Sequence, residues 1–75
     1  MLSERIQKMY IAIDEVLTDR EREIIYKRYG LRGCKEVTQR EIGKTMGISR
    51  SYVSRIEKKA LEKLRRRMAD FGIMW

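Results

Sequence analysis

Seventy-five residues make one small domain, near the lower limit for folding on a single core without a staple. One cysteine and no histidine exclude an intramolecular disulfide and a histidine-based zinc site, and no apolar run reaches the length of a membrane span. The net charge of +7, the absence of proline and the abundance of Glu, Lys, Arg, Leu, Ile and Met point to an all-α chain with a basic face. The expectation is a cytoplasmic protein without cofactor, its Cys34 a reduced loop thiol.

In chain order, Ser3 to Leu17 forms a first amphipathic helix, with Ile6, Met9, Tyr10, Ile13, Val16 and Leu17 at helical spacing and Ser3 as its cap. Thr18 with Glu21 gives a capping box, so a second helix runs from Asp19 to about Tyr29 and stops at Gly30. Its core positions are drawn from Ile24, Ile25 and Tyr29, and Arg20, Arg22, Lys27 and Arg28 lie partly outside. Residues 31–37, with Gly33 among them, read as a loop.

The stretch Gln39 to Lys58, QREIGKTMGISRSYVSRIEK, organises the rest. Thr38 caps a third helix, Glu41 closes a capping box, and Val37 with Ile42 makes a hydrophobic staple. Gly47 ends that helix, where a left-handed residue without a side chain costs least. Ser49 caps the next helix, stapled by Ile48 against Val53. Ile42, Met46, Ile48, Val53 and Ile56 fall where two crossed helices touch, and Gly43 lets the backbones approach. This is the register of a helix-turn-helix. The stripe continues through Ala60, Leu61, Leu64 and Met68, which extends the last helix to about Met68.

A compact four-helix domain over residues 1–69 is expected, followed by an apolar tail over 70–75. Phe71, Ile73, Met74 and Trp75 have three open fates: packing on the core, binding a partner, or fraying. Packing is favoured, because large apolar groups left in water invite association.

Charge is unevenly placed. Residues 1–49 hold ten basic and eight acidic side chains, whereas Arg50 to Arg67 holds eight basic and two acidic, a local balance of +6. That positive run lies on and just after the proposed recognition helix, where phosphates would sit. Arg50 and Ser51 occupy its first turn; Ser54 and Arg55 follow one turn on, on the same side, opposite Val53 and Ile56. An arginine fork matches guanine O6 and N7, and serine serves at a base or a phosphate. Lys58 and Lys59 are expected at the DNA backbone, and the bland alternative for Arg50 and Arg55 is a phosphate contact or plain solvation. Tyr52 either packs on the sugar-phosphate backbone or covers the helix pair. The acids sit at caps or among basic neighbours, so no acid–base pair in a cleft is expected, and the chain does not read as an enzyme.

The segments LTDREREIIYKRYGL and TQREIGKTMGISRSYVSRIEKKALEKLRR closely resemble region 4 of bacterial RNA polymerase sigma factors, in wording most like the mother-cell sporulation type. The resemblance covers about Leu17 to Arg67. It implies a four-helix domain that binds the −35 promoter element through its last helix and docks on the β-subunit flap of the polymerase core. In family terms Arg50, Ser51, Tyr52, Ser54 and Arg55 match recognition-helix positions facing the major groove. Arg20, Arg28, Thr38, Gln39, Arg40 and Lys59 match positions near the DNA backbone. Ser51 and Arg55 stand where many members carry Glu and Gln, so the base preference of the housekeeping factors does not transfer. Regions that melt the −10 element and grip the core have no counterpart, which implies an excised domain or a stand-alone relative. An anti-sigma protein is a further candidate partner. The alternative is a LuxR-type regulator, which would dimerise on a two-fold site; a third reading is a pure protein-interaction module.

Overall fold

The computed structural model describes residues 3–74. Four helices follow one another: α1 (Glu4–Val16), α2 (Asp19–Tyr29), α3 (Gln39–Met46) and α4 (Arg50–Asp70), with no strand among the described residues. Each start is fixed locally. Ser3 accepts from the Ile6 N–H, Thr18 from Glu21, Thr38 from Glu41 and Ser49 from Tyr52. These bonds satisfy donors that the first turn of a helix leaves unpaired. The full box forms at Thr18, where the Glu21 carboxylate accepts from the Thr18 N–H at 2.9 Å. At Thr38 the expected box is one-sided: the hydroxyl half is present, and no return bond from Glu41 occurs among the described contacts. Gly30 and Gly47 end α2 and α3 in the left-handed region, at φ 65° and 69°.

The long α4 is the axis of the molecule. Its 21 residues span about 31 Å at about 1.5 Å per residue, most of the 36 Å longest dimension, and α1, α2 and α3 all pack on it. Two apolar clusters lie along it. Ala12, Ile13, Leu17, Ile25, Ala60, Leu64 and Met68 join α1 and α2 to its C-terminal half. Ile24, Ile42 and Val53 join α2 and α3 to its N-terminal half. Neighbouring Ile24 and Ile25 therefore feed different clusters, and α2 ties the two halves together.

The helix crossing is tighter than side-chain packing requires. A Cβ on Gly43 would lie 2.8 Å from the Ile48 carbonyl oxygen, so it is the turn backbone that excludes a side chain there. The Ile48 N–H donates to the Gly43 carbonyl at 3.0 Å, closing the turn over the end of α3.

Several expected core positions differ. Ile6, on the apolar stripe of α1, is exposed. Met46, Ile48 and Ile56 are half-buried, at the rim of the second cluster. Tyr29 is 44% exposed, because its hydroxyl leaves the apolar stripe for the Glu57 carboxylate, 2.8 Å away. Beyond α4, Phe71 and Ile73 pack on the first cluster, while Met74 is exposed. Trp75, the end of the expected tail, lies outside the described residues.

Candidate nucleic-acid interface

The face of α4 opposite its buried stripe carries the expected contact residues. Val53 and Glu57 are buried, whereas Arg50, Ser51, Tyr52, Ser54, Arg55, Lys58 and Lys59 are all exposed. The same outer face continues, at helical spacing, to exposed Arg65 and Arg66. Packing α2 and α3 on α4 brings the remaining expected residues beside this face. Arg28, Thr38, Gln39, Arg40 and Arg50 line one open cleft. Gln39 and Arg50 also line a neighbouring cleft with Ser51 and Ser54. On the other flank, Arg20 joins Tyr52, Arg55 and Lys59 around a third cleft. The guanidinium groups of Arg20 and Arg55 each stand 5.9 Å from the Tyr52 ring centroid, within cation–π range. Tyr52 is thus an aromatic shared between two cations at the surface, not a lid over the helix pair.

Ion pairing divides the basic run into two groups. Lys63 pairs with Glu21 at 2.8 Å, and Arg67 pairs with Glu15 at 2.9 Å and Asp70 at 3.5 Å. These side chains fasten α4 to α2 and α1, and their charge is already compensated. Arg20, Arg40, Arg50, Arg55, Lys58 and Lys59 have no ion-pair partner among the described residues. The uncompensated charge around the start of α4 is what an anionic ligand would meet first.

Two acids are buried where carboxylates were expected at the surface: Glu21 holds its expected cap, whereas Glu57 lies at no cap and departs from the expectation. Glu21 is 5% exposed and Glu57 is 8% exposed. Burial pushes the Glu21 carboxyl up, but bonds from Lys63 and Thr18, with the Lys63 charge, outweigh it and hold the group below its usual range. Glu57 accepts from the Tyr29 hydroxyl at 2.8 Å and from Gln39 Nε2 at 3.0 Å, and lies 3.4 Å from Arg28 Nε. The Arg28 contact is an ion pair without hydrogen-bond geometry, since its buried Nε lacks a hydrogen-bonded partner. Burial, then the Glu57 bond and charge, push the Tyr29 phenol above its usual value. Glu57 was missed because charge suggested a surface position. Its spacing was the available signal: it follows Val53 by four residues, on the buried stripe.

Comparison with known proteins agrees with this geometry. A family model described as sigma-70, region 4 matches residues 15–66. The chain is 59% identical over 63 residues to an RNA polymerase sigma-28 factor of Bacillus thuringiensis subsp. kurstaki, covering 84% of this chain and 26% of that protein. It is 61% identical over 57 residues to an RNA polymerase sigma-K factor of Bacillus subtilis (strain 168), covering 76% and 18%. An RNA polymerase sigma-E factor of Clostridium acetobutylicum is 46% identical over 50 residues, covering 67% and 21%. The chain therefore spans about a quarter or less of the length of these relatives.

Proposed function

The chain belongs to the sigma-70 region 4 family, and from that premise we propose that it binds the −35 element of promoter DNA and contributes to transcription initiation. The observation that carries this reading is the exposed start of α4, ringed by Arg20, Arg40, Arg50, Arg55, Lys58 and Lys59, which have no ion-pair partner among the described residues. In this reading α4 enters the major groove with Arg50, Ser51, Ser54 and Arg55 at base edges. Arg20, Arg40, Tyr52, Lys58, Lys59 and the capped N-terminus of α3 at Thr38 meet the sugar-phosphate backbone. The wording of the sequence is most like the mother-cell sporulation type, and the family match gives the LuxR-type alternative no support.

RNA polymerase core is the second partner in this reading, through its β flap. A mainly apolar cleft lined by Met9, Ile13, Ile25, Tyr29, Leu31, Leu61 and Leu64 is a surface suited to such a protein contact. An anti-sigma protein would compete for either surface. A cytoplasmic location follows from a DNA-binding role.

The test separates base reading from phosphate clamping. A duplex selected by the chain from a randomised pool and a scrambled duplex are titrated at several salt concentrations. Arg55→Ala removes a base contact and should cost about 1–3 kcal/mol of preference. Lys59→Ala should keep the preference, weaken both duplexes alike and reduce the salt slope by about 0.9. Equal weakening of both duplexes by Arg55→Ala would make Arg55 a phosphate clamp. A wild-type chain with no preference would remove the −35 reading altogether.

A further inference from the structure

We propose that Glu57 is a positioning residue for the DNA interface: it fixes the orientation of the Gln39 amide and compensates the charge of Arg28, so that neither acts as a free phosphate clamp. This rests on the DNA-binding reading above. The geometry is specific. A carboxylate only accepts, so the bond from Gln39 Nε2 to Glu57 Oε1 at 3.0 Å determines which end of the amide turns inward. The amide oxygen and the second N–H are left for the clefts outside. Gln39 opens α3 and lines both clefts that border Arg50, the one with Arg28, Thr38 and Arg40 and the one with Ser51 and Ser54. An amide of fixed orientation presents one acceptor and one donor, the pair that a base edge distinguishes and a phosphate does not.

Arg28 is held on the same carboxylate oxygen. Its Nε stands 3.4 Å from Glu57 Oε1, and the Tyr29 hydroxyl occupies Oε2 at 2.8 Å. The carboxylate is almost enclosed, so its charge is weakly screened and acts on Arg28 in preference to solvent. The cleft therefore presents the uncompensated charge of Arg40 and Arg50, with Arg28 neutralised.

The experiment compares Glu57→Gln with the wild-type chain, using the selected and scrambled duplexes over a salt series. Circular dichroism first establishes that the variant is folded. Loss of the negative charge frees Arg28, so the scrambled duplex should bind more tightly at low salt, with its salt slope raised by up to about 0.9. The preference for the selected duplex should fall by about fivefold, the factor equivalent to one net hydrogen bond. Equal weakening of both duplexes with an unchanged slope would mark Glu57 as structural only and overturn the proposal. Gln39→Ala tests the same point while keeping the charge of the buried carboxylate. It should lower the preference and leave the scrambled duplex and its slope unchanged, and uniform weakening would overturn the proposal. A readout without DNA keeps the two readings apart. The Gln39 side-chain amide protons should be well separated and slowly exchanging by NMR in the wild-type chain, and move to the shifts and fast exchange of a free glutamine amide in Glu57→Gln. An unchanged Gln39 signal overturns the positioning role even where DNA preference is found. A wild-type chain with an ordered Gln39 amide and no DNA preference would instead sink the DNA-binding reading.

Discussion

At the scale of single residues, the positions that matter most are those where one group serves two elements. Glu21 closes the capping box of α2 and at the same time pairs with Lys63 of α4 through the same oxygen. Its carboxyl is held below the usual glutamate range, so the folded state binds fewer protons than the unfolded state in acid. The resulting stabilisation is present above the unfolded value, about 4.3, and is lost as pH falls through the lower folded value. Denaturant titrations between neutral pH and about pH 3 should therefore show acid destabilisation that Glu21→Gln partly removes. An equally steep acid loss in the variant would assign it to other carboxylates. Gly43 is the second such residue, belonging to α3 by sequence and to the turn by contact. Gly43→Ala forces a Cβ against the Ile48 carbonyl, which has no side-chain freedom with which to yield. Overpacking of this kind costs about 1–3 kcal/mol, measurable as a lower urea midpoint with an unchanged slope.

At the scale of elements, α2 does more than its exposed sequence suggests. It carries adjacent isoleucines into two clusters, and its end supplies Arg28 and Tyr29 to Glu57. Ile24 is fully buried between α3 and α4, whereas Ile56, on the apolar stripe of α4 itself, is half-buried at the rim. Truncation should follow burial and not position in the motif. Ile24→Ala should cost about 2–5 kcal/mol, and Ile56→Ala clearly less, by chemical denaturation of both variants. A larger loss at Ile56 would mean that the rim closes on it in solution. The recognition half of α4 is thus supported from behind by α2 and α3, while its other half is fastened to α1 and α2 through Arg67 and Lys63.

At the scale of the whole molecule, two small clusters strung along one helix make a domain whose ends depend on each other. Phe71 and Ile73 fold back on the α1 cluster, Arg67 lies over the Phe71 ring at 4.5 Å, and Arg5 bonds the Met74 carbonyl at 2.8 Å. The segment after α4 therefore covers α1 even though it follows the helix-turn-helix by a turn-forming Gly72 at φ 77°. Ending the chain at Asp70 should lower stability by about 1–3 kcal/mol, the scale of one well-buried apolar side chain, and reduce hydrogen-exchange protection in α1 before α3. Uniform loss across all four helices would show instead that the two clusters unfold as one.

The sequence by itself determined the helix starts, their left-handed stops and the helix-turn-helix register, because a capping hydroxyl, a glycine and a 3.6-residue stripe act over a single turn of chain. The exposed row Arg50, Ser51, Ser54 and Arg55 was legible for the same reason, as the complement of a buried stripe. Which charges remain free was decided only in three dimensions. Lys63 and Arg67 look like their neighbours Arg65 and Arg66 in the sequence, yet acids 42 and 52 residues away neutralise them. Glu57 and Tyr29 meet across 28 residues, and Gln39 joins them from a third helix. Such partners are set by how helices cross, which local spacing does not encode, and a buried carboxylate becomes favourable only once all its donors have arrived together.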